Sequence, residues 1–105
     1  MKNIEWFKKE IAPNLIGFTL KYVNGEGDFG WLEGVQFDSQ QYGGYIYFWS
    51  LGFVGIQLSN YEMDVEIIED SLLELECDEE LIKIELKKII NYIAPTLGNL
   101  SDHNK

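Results

Sequence analysis

A chain of 105 residues is too short for two independent cores, and 46% hydrophobic with 14% aromatic content is too apolar for a disordered acidic chain, so one folded domain is expected. Its net charge of -10, with eight Lys and no Arg, argues against nucleic acid and anionic membranes and favours a basic protein as partner. No apolar run has the length of a membrane span or a signal-peptide core, and the single Cys77 precludes an intramolecular disulfide, so the cytoplasm is the expected compartment.

Along the chain, Ile4, Phe7 and Ile11 stand at helical spacing, with Asn3 as N-cap, and predict a short amphipathic helix ending before Pro13. Ile16 to Val23 alternates, with Phe18, Leu20 and Tyr22 on one side and Thr19 and Lys21 on the other, and predicts the first strand. Asn24 to Asp28 is dense in turn formers and predicts the hairpin connection to a second strand, Trp31 to Phe37. Tyr45 to Ser50, rich in aromatic and β-branched residues, predicts a third strand after a turn at Gln40 to Gly44. Leu51 and Gly52 turn the chain into Phe53 to Ser59, where Val54, Ile56 and Leu58 share a face. Met63, Val65 and Ile67 alternate with Asp64 and Glu66 and predict a fifth strand with one acidic face, suited to a sheet edge.

Residues 71–77 fit both a continued strand and a helix opened from a Ser71 cap, and the pattern leaves the two readings open. From Asp78 a cap, acids in the first turn, Lys87 and Lys88 near the end and Pro95 beyond predict the C-terminal helix. Its apolar residues Ile82, Leu86, Ile89, Ile90 and Ile93 fall on one face, which should cover a sheet face. The expected fold is therefore α+β: an antiparallel meander of about four or five strands, with a short N-terminal and a longer C-terminal helix packed on it. Residues 1–97 form the domain, and 98–105 are expected to be a frayed polar tail.

The supply of catalytic groups is poor. His103 lies in the tail, and Cys77 has no CxxC partner and stands among acids that oppose thiolate formation. Gly25, Gly27 and Gly30 match a dinucleotide-loop spacing, but they lie between two predicted strands instead of opening a helix, so a hairpin turn accounts for them. The acids at 62, 64, 66, 69 and 70 lack the calcium-loop pattern and any His. A carboxylate pair, as in glycosidases, is expected by chance among 18 acids. No enzyme, metal or cofactor is expected.

Two distributions stand out. Glu62, Asp64, Glu66, Glu69, Asp70, Glu74, Glu76, Asp78, Glu79, Glu80 and Glu85 are eleven of the 18 acids, with Lys83 the single base among them. That much like charge is tolerated on a solvated face and relieved by a basic partner. Tyr42, Tyr45, Tyr47, Phe48, Trp49 and Phe53 fall within twelve residues, and alternation sends Ile46 and Phe48 to one face and Tyr45, Tyr47 and Trp49 to the other. If a helix covers only one sheet face, these rings are candidate interface anchors; if both are covered, they are core.

The short N-terminal helix with Trp6 and Phe7, the aromatic meander GGYIYFWSLGFVGIQL, the acidic stretch and the Lys- and Ile-rich last helix together resemble small bacterial immunity proteins of polymorphic toxin and contact-dependent growth inhibition systems. The resemblance covers the whole chain in style and rests on no specific motif. It implies a cytoplasmic inhibitor of a delivered C-terminal toxin domain, which as a nuclease would present a basic surface. On that reading Glu62 to Glu80 supply charge complementarity and Tyr45, Tyr47, Trp49 and Tyr61 are the anchors. The alternatives are an acidic regulatory or nucleic-acid-mimic module for another basic protein, and a small enzyme using paired carboxylates.

Overall fold

The structure, a computed structural model, describes residues 3–97. The expected polar tail with His103 lies outside the described residues. Five strands, β1 (Thr19–Gly27), β2 (Gly30–Asp38), β3 (Tyr42–Trp49), β4 (Phe53–Asn60) and β5 (Val65–Glu74), pair antiparallel in sequence order, a meander with β1 and β5 at the edges. The long helix, α2 (Leu75–Ile93), follows β5 without a linker, and after a break at Ala94 residues 95–97 are helical again. The α+β class and the two covering helices match the sequence expectation.

One sheet face carries the core. Val35, Phe37, Ile46, Val54, Ile56 and Leu58 point to it and meet Ile4, Phe7 and Ile11 from the N-terminal segment and Ile82, Leu86, Ile89 and Ile93 from α2 in a single buried cluster. The α2 spacing places its four buried residues on one stripe, as the amphipathic pattern requires. Each fully buried Ile or Leu contributes about 1.5–3 kcal/mol relative to exposure.

The N-terminal segment runs further than expected. After α1 (Ile4–Trp6), capped by Asn3 Oδ1 accepting from the Trp6 N–H at 3.1 Å, the helix widens to a π turn at Phe7–Ile11 and tightens to a 3-10 turn at Ala12–Asn14. Pro13 sits in the first positions of that 3-10 turn, where a missing N–H costs nothing. The expected end before Pro13 is therefore corrected by one turn.

The glycine-rich stretch after Val23 is also strand: Gly25, Glu26 and Gly27 pair with Leu32, Trp31 and Gly30, which leaves Asp28 and Phe29 as a two-residue turn. Residues 71–77 divide between the two readings: the strand continues to Glu74 and the helix starts at Leu75. Asp78, expected as the cap, instead marks a kink inside the helix with φ -117° and ψ 24°. Its Oδ2 accepts from the Glu74 N–H at 3.0 Å, so a capping residue does its capping one turn after the helix has begun.

Near its start β5 departs from simple alternation. Two register irregularities, at Ile56/Leu58 and Leu58/Ser59, give β5 extra residues against β4. The phase shift makes Ile68 the buried residue and leaves Ile67 half-buried, while Val65 is exposed at the start of the strand and Met63, expected within the strand, lies exposed in the turn before it. Bulges and charges are both devices that blunt an edge strand against self-pairing.

Candidate protein-binding surfaces

No described element covers the second sheet face. The register lays out its residues in rows across the strands: Asp38, Gly43, Ser59 and Glu66; Gln36, Tyr45 and Gln57; Gly34, Tyr47, Gly55 and Leu72; Leu32, Trp49, Phe53 and Glu74. Tyr45, Tyr47 and Trp49 therefore stand on the open face, as alternation predicts, and they are half-buried there because they lie on one another and on glycines. Tyr45 and Tyr47 stack with centroids 4.2 Å apart and planes 20° apart. A Cβ at Gly34 would collide with the Tyr47 ring, so this Gly lets the ring lie flat across β2.

Polar partners fix these rings. The Gln36 side-chain amide donates to the Tyr47 hydroxyl at 2.7 Å, and Trp49 meets Phe29 edge-on at 5.9 Å. The Tyr61 hydroxyl donates to Asp38 Oδ1. That bond to a carboxylate, then burial, then the Asp38 charge hold the Tyr61 hydroxyl above its ordinary value of 10.0.

The predicted acids form a stripe. Glu62 and Asp64 occupy the turn before β5, with Asp64 in the left-handed region at φ 53°, where Asp is tolerated better than most residues. Glu66, Glu69 and Asp70 are exposed along β5, Glu74 ends it half-buried, and Glu76, Glu79 and Glu80 are exposed on the first turns of α2, around the half-buried Asp78. Ten residues of β5 span about 33 Å at the usual strand rise, so the stripe runs the length of the edge. Lys83 pairs with Glu79 and Glu80 at 3.5 Å each, and its pKa is raised by the charge of Glu80 first and Glu79 next.

These residues do not converge on one patch. Tyr45, Tyr47 and Trp49 are two strands, about 10 Å, in from the acidic edge and face away from α2. Glu66 and Glu74 share their face, whereas Glu76, Glu79 and Glu80 belong to the helix layer. Among the described residues no three His, Cys, Asp or Glu gather to hold a metal ion, and no helix is long and apolar enough to cross a membrane.

A concave feature lies in the helix layer, between the N-terminal helical segment and α2. It encloses about 880 Å³. Phe48 and Val54 from β3 and β4 and Ile82 and Leu86 from α2 supply its apolar surface, with Trp6 and Leu75 beside them, and Glu10, Glu76, Glu79 and Lys83 supply its polar groups. The sequence drew attention to Trp6 in the first helix and to Lys83 as the one base among the acids, but none of Trp6, Glu10, Leu75 and Lys83 was expected to bind a partner. Their periodicity places Trp6 with Glu10, and Leu75 with Glu79 and Ile82, on shared helical faces, but no single-chain pattern shows that these two faces oppose each other.

The fold and these surfaces define a class: an α+β protein with one clad sheet face, one aromatic open face and an acidic edge. No family model matches the chain, no curated protein matches it, and no solved structure matches it.

Proposed function

We propose that this protein is a binding protein of the immunity type, which neutralises a toxin domain with a basic surface, a nuclease in the simplest case, by occupying that surface. The observation that carries the reading is the acidic stripe from Glu62 to Glu80. From Tyr61 to Ile82 there is no Lys at all, and the first base beyond, Lys83, is already engaged by two glutamates. Like charges on one edge repel one another in the free protein and are relieved by a cationic partner, and they steer such a partner at high encounter rates. A nuclease offers that partner chemistry because it must hold substrate phosphates with Lys and Arg.

The inhibitor acts by occlusion, with no bond made or broken. Its own groups offer little for catalysis: Cys77 is exposed on the kinked start of α2 amid acids, and the open-face hydroxyls of Tyr47 and Tyr61 are bonded within the sheet. Cytoplasmic action follows from the same reading, since a delivered nuclease meets its substrate there.

Co-expression with the toxin domain encoded immediately upstream is the test. Survival of the cells together with a co-purifying complex is the expected result. Cell death at full expression of both chains, with no complex, removes the immunity reading.

A further inference from the structure

The groove between the N-terminal helical segment and α2 has the size of a ligand cleft, and its apolar and charged groups are separated in space. Phe48 and Val54 make a floor from the sheet, while Ile82 and Leu86 extend it up the side of α2. Around this floor stand three carboxylates, Glu10 on one wall and Glu76 and Glu79 on the other, against the single ammonium of Lys83. Glu76 and Glu79 also belong to the helical end of the acidic stripe, so the charge that runs along β5 continues to the mouth of the groove.

On the open face the described side chains pack against one another. Its aromatic rings are engaged with one another, with Gln36 and with Phe29, and they fill the space above the glycines. A partner meeting that face finds a surface already packed, whereas a partner meeting the groove finds a recess in which an apolar side chain can be desolvated. Interface energy concentrates where an anchor fills such a recess inside a rim that excludes water.

We infer that this groove is the anchor site for a basic amphipathic segment of a protein partner, one that inserts an apolar side chain between Trp6 and Leu75 and places Lys or Arg against Glu10, Glu76 and Glu79. The charge complementarity selects this occupant: three carboxylates face the one ammonium of Lys83, which is paired with Glu79, so an acidic segment is repelled and a neutral one leaves the excess negative charge uncompensated. The inference builds on the reading of a basic partner and adds where that partner is held, in the helix layer instead of on the aromatic strand.

The test uses the whole protein, nitrogen-labelled, titrated with a short synthetic peptide carrying Leu at helical spacing and Lys elsewhere. Peptides with Glu or Gln in place of Lys serve as comparisons. Amide shifts should concentrate at Leu75, Glu79, Ile82 and Lys83, with the Lys peptide alone binding. The double variant Glu76→Lys/Glu79→Lys should weaken that binding by about tenfold relative to Glu26→Lys/Asp28→Lys, which makes the same change of net charge at the exposed β1–β2 turn, outside both the groove and the acidic stripe. Circular dichroism establishes that both variants keep the fold. Shifts confined to the open face, equal losses in the two variants, equal binding of the Gln peptide, no binding, or filling of the groove by a second copy each overturn the inference. No toxin domain is present in this titration, so its failure is distinct from failure of the co-expression test, and a toxin that does not bind leaves a positive peptide result standing.

Discussion

Single residues on the sheet divide by what stands over them. A Cβ at Gly44 would run into the Gln57 carbonyl oxygen, which is backbone in the adjacent strand, whereas at Gly34 it would meet the movable Tyr47 ring and, at 2.8 Å, the Ile46 carbonyl. At Gly25 nothing lies within 4 Å. Gly44→Ala is therefore expected to cost the most in chemical denaturation, at or above the roughly 1–3 kcal/mol usual for overpacking, with Gly34→Ala below it and Gly25→Ala near neutral. The Tyr61–Asp38 pair gives a pH signature. A tyrosine pKa raised in the folded state contributes stability that is complete below the ordinary value of 10.0 and is lost as pH rises through the folded value. Tyrosinate absorbance should show the Tyr61 hydroxyl ionising above 10.0, as Tyr22 also should through burial, and Asp38→Asn should return Tyr61 alone toward the ordinary range by weakening its hydrogen bond and removing the carboxylate charge.

At the scale of elements, α2 holds the molecule together across the β4 and β5 side. Ile89 is wholly buried, so Ile89→Ala is expected to destabilise by about 2–5 kcal/mol, read as a lower denaturant midpoint with unchanged slope. Asp78→Ala should cost about 1 kcal/mol through the lost acceptor of the Glu74 N–H. Strand and helix positions were largely legible because period-2 and helical patterns are local. The alternation that sends Ile46 and Phe48 to the core face, where Ile46 is buried and Phe48 half-buried, and turns Tyr45, Tyr47 and Trp49 to the other survives in the register. What escaped was set by neighbours in space. The continuation of β1 through Gly25 to Gly27 depends on pairing with Gly30 to Leu32, and the burial of Ile68 rather than Ile67 depends on bulges that no spacing in β5 announces. The groove was hidden for the same reason, because Trp6 and Leu75 are far apart in sequence and are joined by the fold alone.

For the whole molecule, charge is the dominant asymmetry. Eleven acids between Glu62 and Glu85 with one lysine impose repulsion that screening relieves, so the free protein should become more stable as salt rises from low to moderate concentration, seen as an increase in thermal midpoint. A second copy would bring the same acids to β5, which opposes edge-to-edge pairing with itself while leaving the edge open to a cation-bearing chain. The same screening should weaken a functional complex, so salt acts in opposite directions on the free protein and on its association. The most direct test of the central claim is therefore the association rate and affinity of this protein for the polypeptide encoded immediately upstream, measured from low to moderate salt. A tight complex whose association rate falls steeply as salt rises is the predicted result. A complex indifferent to salt, or none at any salt, would contradict an inhibitor that works through its acidic edge.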